Sequence, residues 1–196
     1  MTLSRRSSIT DVAATVAAVL RESSFTAVLT GGACATIYSG GAYQSYDLDY
    51  VIQAGGRKRA LDEAMARAGF ARAGDRYEHP KVRFFVEFVR GPLAIGDDVA
   101  VRPTMLRVGR GRTLALSPTD ACRDRLAAFY HWSDRQSLAA AIAIAARHRV
   151  NLAAIRRWSE REGATDRFGE FRDAILARTR RTPRAAAHSR RVKGTK

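Results

Sequence analysis

The sequence predicts an α+β fold, with short strands and flanking helices in residues 1–116 and further helices in residues 117–178. Three observations support this prediction. Short apolar, β-prone runs alternate with helical patterns in the first part of the chain. The segment that begins at Ser117-Pro118 then has the composition of a helix start, with Ser117 as N-cap and Pro118 at the first helical position. From there to residue 178 the apolar pattern is helical.

The first element is predicted to be an amphipathic helix from about Asp11 to Glu22, with Thr10 as its N-cap. Its buried stripe, set by the helical period, comprises Val12, Val16, Val19 and Leu20. The elements that follow are predicted to be a strand at 27–30, a helix at 32–38, a loop at 39–46, a strand at 47–53, and a helix at 57–68 closed by Gly69.

The rest of the first part is predicted to be β-structure: strands within 77–89 around a turn at His79-Pro80, a short strand at 99–101, and strands within 106–116 folded around residues 109–111. Four helices follow, at 120–130, 134–147, 151–162 and 165–178. Residues 179–196 have no apolar periodicity and many basic residues, which predicts a disordered basic tail.

The charge balance is unusual for a globular chain of 196 residues. There are 34 Lys and Arg residues against 19 Asp and Glu residues, which gives a net charge of +15 and a pI of about 11.0. Such a surplus favours a polyanionic partner, nucleic acid first among them. The alternative is that an arginine- and alanine-rich composition reflects a GC-rich genome.

The two cysteines, Cys34 and Cys122, do not form a disulfide framework and are expected to be small buried thiols in a reducing compartment. No Cys or His pair has the spacing of a zinc site. No apolar run approaches the length that spans a membrane. The sequence therefore predicts a soluble, cytoplasmic protein without membrane contact.

The segment from Leu29 to Ile52 is the most informative part of the chain. Gly31-Gly32 follows an apolar run, and Asp47-Leu48-Asp49 begins fifteen residues after the second glycine. Two acids at i and i+2 on a strand lie on the same face and repel each other unless a cation lies between them. Oxygen ligands of this kind suit Mg²⁺, or Mn²⁺, together with substrate phosphates. A glycine loop before a helix can bind phosphate through backbone N–H groups, so the combination indicates nucleotidyl transfer.

This pattern resembles the DNA polymerase β-like nucleotidyltransferase superfamily, whose signature is Gly-Gly or Gly-Ser followed by Asp-x-Asp. Within it, the chain looks most like the AbiEii-type group, which includes toxins of type IV toxin–antitoxin systems. The residues that carry the closer match are Gly31-Gly32-Ala33, Ser45, Asp124-Arg125-Leu126-Ala127-Ala128 and Asp134-Arg135. The resemblance covers roughly residues 25–150 and implies a small mixed β-sheet nucleotidyltransferase core.

The resemblance also implies roles for individual residues. Mg²⁺ would bind Asp47, Asp49 and a third carboxylate from the neighbouring strand, for which Glu87 is the best-placed candidate. Gly31 and Gly32 would bind the nucleotide phosphates. The alternative for Glu87 is a solvent-facing acid on an edge strand, and for the Asp pair it is a strand start without metal.

Two further nucleotide-binding candidates are Ser45 and Arg125. Ser45 could instead order the approach to the strand by a hydrogen bond. Arg125 stands where the AbiEii-type group often has Lys, and it could instead form a surface pair with Asp124. Asp134 fits either a cleft acid or the N-terminal acid of its helix.

Two neighbours of these candidates have simpler expectations. Trp132 is expected to be a packing anchor between two helices, and His131 is expected to be a polar residue at the same corner.

The sequence therefore predicts a Mg²⁺-dependent enzyme that moves a nucleoside monophosphate from an NTP to an acceptor. RNA, tRNA in particular, is the expected acceptor, and an antitoxin protein is the expected partner of a toxin of this type. Transfer to a protein side chain or to a small molecule is a second enzymatic option, and the positive charge argues mildly against a small neutral acceptor. The alternative is a non-catalytic nucleic-acid-binding or interaction module on the same scaffold. The intact Asp47-x-Asp49 pair favours the enzyme, since a scaffold without catalysis has little reason to retain two repelling acids.

Overall fold

The computed structural model describes residues 2–181. Its helices are α1 (Ile9–Glu22), α2 (Gly31–Tyr38), α3 (Lys58–Arg67), α4 (Pro118–Trp132), α5 (Arg135–Ala145), α6 (Leu152–Arg161) and α7 (Thr165–Arg181). Its strands are β1 (Thr26–Leu29), β2 (Asp47–Ala54), β3 (Ala71–Ala73), β4 (Arg76–Glu78), β5 (Phe85–Arg90), β6 (Thr104–Val108) and β7 (Gly111–Ala115).

The strands form one mixed sheet in the order β3-β4-β5-β2-β1-β7-β6. The central strand pairs are of both kinds, because β2 is antiparallel to β1 but parallel to β5, and β1 is parallel to β7. Antiparallel hairpins extend the sheet at both ends, with β3 and β4 on one side and β6 on the other. This mixed sheet with flanking helices confirms the predicted α+β fold.

Helices α1 and α3 cover one face of the sheet. On that face Tyr50 of β2 stacks on Phe88 of β5, with its hydroxyl 3.5 Å from the carbonyl oxygen of Ala13 in α1. Tyr77 of β4 donates a hydrogen bond of 2.6 Å to Asp62 of α3. Because side chains alternate along a strand, the odd-numbered residues of β2 and β5 project from the opposite face.

The C-terminal helices share a continuous hydrophobic core with the sheet. Helix α4 packs against α2, α5 and α6, and the core cluster includes Leu29 of β1, Leu126 of α4 and Trp158 of α6. The change from strands to helices falls between β7 and α4. A division of the chain into two domains at this point stays a prediction.

Most predicted elements are confirmed to within a few residues, but the prediction of Thr10 as N-cap of α1 is wrong. Ser8 is the N-cap: its hydroxyl accepts from the backbone N–H of Asp11, and the Asp11 carboxylate accepts from the N–H of Ser8 at 2.8 Å. This reciprocal capping box satisfies two helix-end donors, so Ser8 is preferred over Thr10. The four residues of the predicted buried stripe are all buried.

The strand predicted at residues 99–101 is wrong. Asp98 forms an isolated bridge with Ile95, and its carboxylate accepts from the N–H of Ala100, so the chain turns there instead of extending. Conversely, β3 was not predicted, although the pair Gly74-Asp75 joins it to β4 through a two-residue turn typical of hairpins. Its exposed sequence Ala-Arg-Ala gives no strand periodicity.

Ser117 caps α4 as predicted, since its hydroxyl accepts from the N–H of Asp120. Asn151 lies outside α6 as its N-cap and accepts from the N–H of Ala154. Helix α7 continues to Arg181, so the first three residues of the predicted tail are helical, and residues 182–196 lie outside the described residues. In the part of the chain described here, no helix is long and apolar enough to cross a membrane.

Candidate active site

Three carboxylates lie on the sheet face opposite α1 and α3. Asp47 and Asp49 are two residues apart on β2, and Asp49 is the register partner of Glu87 on the parallel strand β5. All three side chains are half-buried. The structure therefore brings together the three acids that the sequence proposed as one site, from two strands that are separate in sequence.

The N-terminus of α2 lies against this acid face. The backbone N–H of Thr30, the N-cap of α2, donates to the carbonyl oxygen of Asp49 at 2.9 Å, and the Thr30 side chain makes no cap hydrogen bond. Gly31 has φ +61°, and a Cβ atom there would overlap the Asp49 carboxylate. Glycine is therefore required twice at this position, for its backbone conformation and for the close approach of Asp49.

Ser45 links α2 to the other acid. Its hydroxyl donates to Oδ1 of Asp47, and its backbone N–H donates to Oγ1 of Thr36 at 2.9 Å. A Cβ atom on Gly32 would approach the Cβ of Ser45 to 2.7 Å, so the second glycine makes room for this contact. These contacts match the expectation that Ser45 orders the approach to the strand, and they also orient Asp47.

The acid face concentrates negative charge. Burial, followed by the neighbouring charges of Asp47, Glu87 and Asp124, raises the pKa of Asp49 to about 6, while Arg125 opposes them. Asp124 is therefore a fourth acid close to the site. From the sequence, Asp124 is only part of a motif and a surface partner of Arg125. Its position depends on the packing of α4 against α2, which no local pattern reveals.

The carboxylate oxygens suit a hard cation such as Mg²⁺, although the protein alone does not supply a complete set of metal ligands. Within residues 2–181 no three His, Cys, Asp or Glu side chains are gathered tightly enough to hold a metal ion by themselves. Mg²⁺ takes only one or two carboxylates and completes its octahedral shell with waters and substrate phosphates. Mutually repelling carboxylates beside a helix N-terminus fit this requirement.

Arg125 lies at the same site, but its guanidinium already has a partner. Its Nε and Nη2 atoms donate to Oδ2 of Asp124 at 3.0 and 2.8 Å. Burial would lower the pKa of Arg125, but the charge and hydrogen bond of Asp124 outweigh it and raise the pKa. The Arg125 side chain is only 16% exposed, so the pair is not the surface pair considered from the sequence.

The two remaining candidates are Asp134, which caps a helix, and Trp132, which lies at the surface. Asp134 is the N-cap of α5, accepting from the N–H groups of Gln136 and Ser137 and from the Ser137 hydroxyl, whose hydrogen bond lowers the Asp134 pKa. The prediction that Trp132 anchors the packing is wrong. Trp132 is 77% exposed, and the tryptophan that fills the core is Trp158.

Three other expectations concern His131 and the cysteines. His131 lies at an exposed corner, with Nε2 3.4 Å from a carboxylate oxygen of Glu162. Cys34 and Cys122 are free and buried, as expected, and burial raises the pKa of both thiols.

Comparison with known proteins supports the fold. No protein-family model and no curated protein matches the sequence. A solved structure of an antigenic nucleotidyltransferase-like protein from Paracoccidioides brasiliensis is similar, with a TM-score of 0.56 and 18% sequence identity. The alignment covers 72% of this chain and 76% of the other. The chain therefore has a nucleotidyltransferase-like fold, and its closeness to the AbiEii-type group stays a prediction.

Proposed function

We propose that the protein is a Mg²⁺-dependent nucleotidyltransferase, with Mn²⁺ as an alternative ion, that transfers a nucleoside monophosphate from an NTP to an acceptor. The observation that carries the proposal is the position of Asp49. Its carboxylate lies against Gly31 at the N-terminus of α2 and beside Glu87 on the next strand. One side of this carboxylate thus borders a helix N-terminus, an end that can bind phosphate, and the other borders a second acid.

Each residue has a role that follows from its position. Asp47, Asp49 and Glu87 would hold the cation, and backbone N–H groups at Gly31 and Gly32 would bind phosphate oxygens. The bound ion supplies charge neutralisation at the phosphates. The acceptor oxygen would bond to the α-phosphorus as the bond to the β-phosphate oxygen breaks, releasing pyrophosphate. Asp49 or Glu87 would take the proton of the acceptor hydroxyl.

The proposed acceptor is RNA, with tRNA first. The net charge of +15 supports a polyanionic acceptor over a small neutral one. The resemblance to the AbiEii-type group extends the proposal to a cytoplasmic toxin of a type IV toxin–antitoxin system that is paired with an antitoxin protein. This extension depends on Gly31-Gly32-Ala33, Ser45 and the segment around Arg125.

A non-catalytic nucleic-acid-binding or interaction module is the second candidate, and one observation favours it. Arg125, the residue expected to bind phosphates, is held by both Nε and Nη2 on Asp124. If Arg125 bound a substrate phosphate, its guanidinium would have to leave Asp124 or bind both groups at once. A scaffold that binds nucleic acid elsewhere would leave it intact.

Transfer of label from α-³²P NTPs tests the proposal. The full chain is incubated with each NTP, Mg²⁺ and total tRNA, beside the Asp47→Asn/Asp49→Asn double variant and the control Asp75→Asn, which removes an exposed turn acid. Label on RNA that is lost only in the double variant supports the enzyme and identifies the donor. Label on the protein itself supports the enzyme with a protein acceptor.

Thermal melting separates the two candidates if no label is transferred. NTP should raise the melting temperature of an enzyme only when Mg²⁺ is present, because the ion is bound by the carboxylates and the triphosphate together. Absence of both label and a Mg²⁺-dependent NTP shift supports the non-catalytic module.

A further inference from the structure

An open pocket lies between α1 and the strands β1, β6 and β7. Its volume is about 380 Å³, which is within the range of small-ligand sites. The apolar residues that line this α1–β7 pocket are Ala17, Leu20, Phe25, Ala27, Met105 and Leu114. Thr26, the first residue of β1, also lines it, whereas Thr30 beside Asp49 follows the last residue of that strand. About 13 Å of extended chain therefore separates the pocket from the acid face.

The protein leaves the apolar wall of this pocket partly uncovered. Met105, at one side, is 56% exposed. Protein interiors are close-packed, so an apolar hollow of this size marks a surface that another molecule can cover. The ring of Phe25 already lies against Gly55, and the other apolar lining residues are aliphatic. Such a wall fits a flexible alkyl chain better than a stacked aromatic ring.

Two arginines, Arg21 and Arg112, also line the pocket, and none of the residues of 2–181 that line it is acidic. Neither guanidinium forms an ion pair within this part of the chain. Arg21 lies in the last turn of α1, where the helix dipole favours a cation even without a ligand. Arg112 has no such support, because its register partner on β6 is Arg107 and like charges on opposite strands repel. An anion bound at Arg112 would reduce this repulsion.

We propose that the α1–β7 pocket binds a free fatty carboxylate, with its alkyl chain in the apolar hollow and its carboxylate on Arg21 and Arg112. The apolar wall and the two unpaired cations together match an amphiphile with an anionic head. A stable protein–protein interface buries about 800 Å² on each partner, whereas this surface is a single hollow of ligand size. The proposal does not rest on the proposed nucleotidyl transfer, since the acids lie at the other end of β1.

Binding is measured by calorimetric titration of the full chain with dodecanoate below its micellar concentration, without NTP or Mg²⁺. We expect a single dodecanoate to bind each chain. Arg112→Gln should weaken the affinity about 10-fold, since a hydrogen bond to a charged group has about this value. Arg21→Gln should weaken it as well. The Asp47→Asn/Asp49→Asn variant should bind dodecanoate like the wild type.

Arg110→Gln is the matched control, because Arg110 is exposed in the turn between β6 and β7 and does not line the pocket. It removes the same charge as Arg112→Gln, so a general effect of net charge would weaken both variants equally. Thr26→Phe keeps both arginines but adds a ring at the wall of the pocket, and it should also weaken binding. Acetate, which has the carboxylate without the chain, should not bind measurably.

Absence of wild-type binding would overturn the proposal, and so would equal affinities of Arg112→Gln and Arg110→Gln. Unchanged affinity in Thr26→Phe would place the alkyl chain outside this pocket and overturn it as well. Altered affinity in the Asp47→Asn/Asp49→Asn variant would place the ligand on the acid face, with the same consequence. Weakened binding in Arg112→Gln and Thr26→Phe but not in Arg110→Gln supports the site, whether or not the chain transfers label to RNA.

Discussion

Asp49 of β2 and Glu87 of β5 are register partners on parallel strands, so their carboxylates lie side by side on one face of the sheet. On the other side of β5, Arg76 of β4 is the partner of Glu87, but its guanidinium pairs with Glu78 at 2.5 Å. Within residues 2–181 Glu87 forms no ion pair. The Glu87 carboxylate is therefore available to bind a cation together with Asp49.

Glu87→Gln should reduce nucleotidyl transfer at least about 100-fold, because it removes either a metal ligand or the proton acceptor. The amide keeps the size of the side chain, so the melting temperature should change little. Glu78→Gln is the matched control, since it alters an acid on the adjacent strand that already has Arg76 as partner. Because β5 lies between β4 and β2, Glu87 is not on an edge strand. Equal activity of Glu87→Gln and wild type would mean that Glu87 takes no part in the reaction.

Asp49→Asn should stabilise the metal-free protein at neutral pH while abolishing transfer. The Asp49 pKa is raised from 3.8 to about 6, so the folded state binds the proton more tightly than the unfolded state. The free energy of unfolding therefore decreases as pH rises from about 4 to about 6, and the decrease is complete above that range. At 1.36 kcal/mol per pKa unit, and discounted for partial exposure, the variant should gain about 2 kcal/mol at pH 7.5.

Chemical denaturation of both proteins in EDTA measures this difference. The gap between Asp49→Asn and wild type should close below about pH 4, where the acid is protonated in both states. Asp75→Asn, in an exposed turn, should show no such pH-dependent gap. A destabilised Asp49→Asn at pH 7.5 would mean that contacts of the carboxylate with the N-terminus of α2 outweigh its burial and repulsion.

The elements fixed by neighbouring residues could be predicted from the sequence. The same-face position of Asp47 and Asp49 follows from strand alternation alone, and the start of α4 follows from Ser117-Pro118. Competition between local signals explains one error, because both Ser8 and Thr10 can cap a helix. The acid at Asp11 decides for Ser8 by completing the capping box.

Features that depend on distant contacts could not be predicted in the same way. The register that pairs Asp49 with Glu87 involves strands separated by α3 and a hairpin, so only the resemblance suggested it. The position of Trp132 between two helices predicts a packing anchor, but the ring is exposed. The core next to α4 is instead filled by Trp158, whose ring stacks on Tyr130.

Gly31→Ala should abolish transfer and destabilise the fold. The new Cβ would overlap the Asp49 carboxylate, and φ +61° is unfavourable for alanine. Gly74→Ala is a matched control, because Gly74 has φ +66° but nothing within 4 Å of the added Cβ. Both variants should lose about 1 kcal/mol from backbone strain, and only Gly31→Ala should lose activity. Similar activities of the two variants would show that Asp49 can move without consequence.

Asp98→Asn should destabilise the protein because Asp98 ties the segment between β5 and β6 to the helical part. Its carboxylate accepts from Arg123 of α4, from Arg161 of α6 at 3.4 Å and from the N–H of Ala100 at 2.9 Å. Arg123 is buried and also pairs with Asp120, so loss of one acid leaves a buried guanidinium short of a partner. We expect a loss of about 2 kcal/mol, below the range for fully buried pairs since Asp98 is partly exposed.

The pH dependence and a neighbouring control distinguish this ion pair from a general effect of the substitution. The hydrogen bond from Ala100, followed by Arg123, lowers the pKa of Asp98, so its contribution is present above the unfolded pKa of about 3.9 and is lost as pH falls through the folded value. Thermal melting at pH 7.5 should therefore separate Asp98→Asn from wild type by roughly 4–8 °C, and the gap should narrow in acid. Asp97→Asn changes an exposed acid one residue away and should melt like the wild type. If Asp98→Asn and Asp97→Asn have the same melting temperature at pH 7.5, Asp120 alone is a sufficient partner for the buried Arg123.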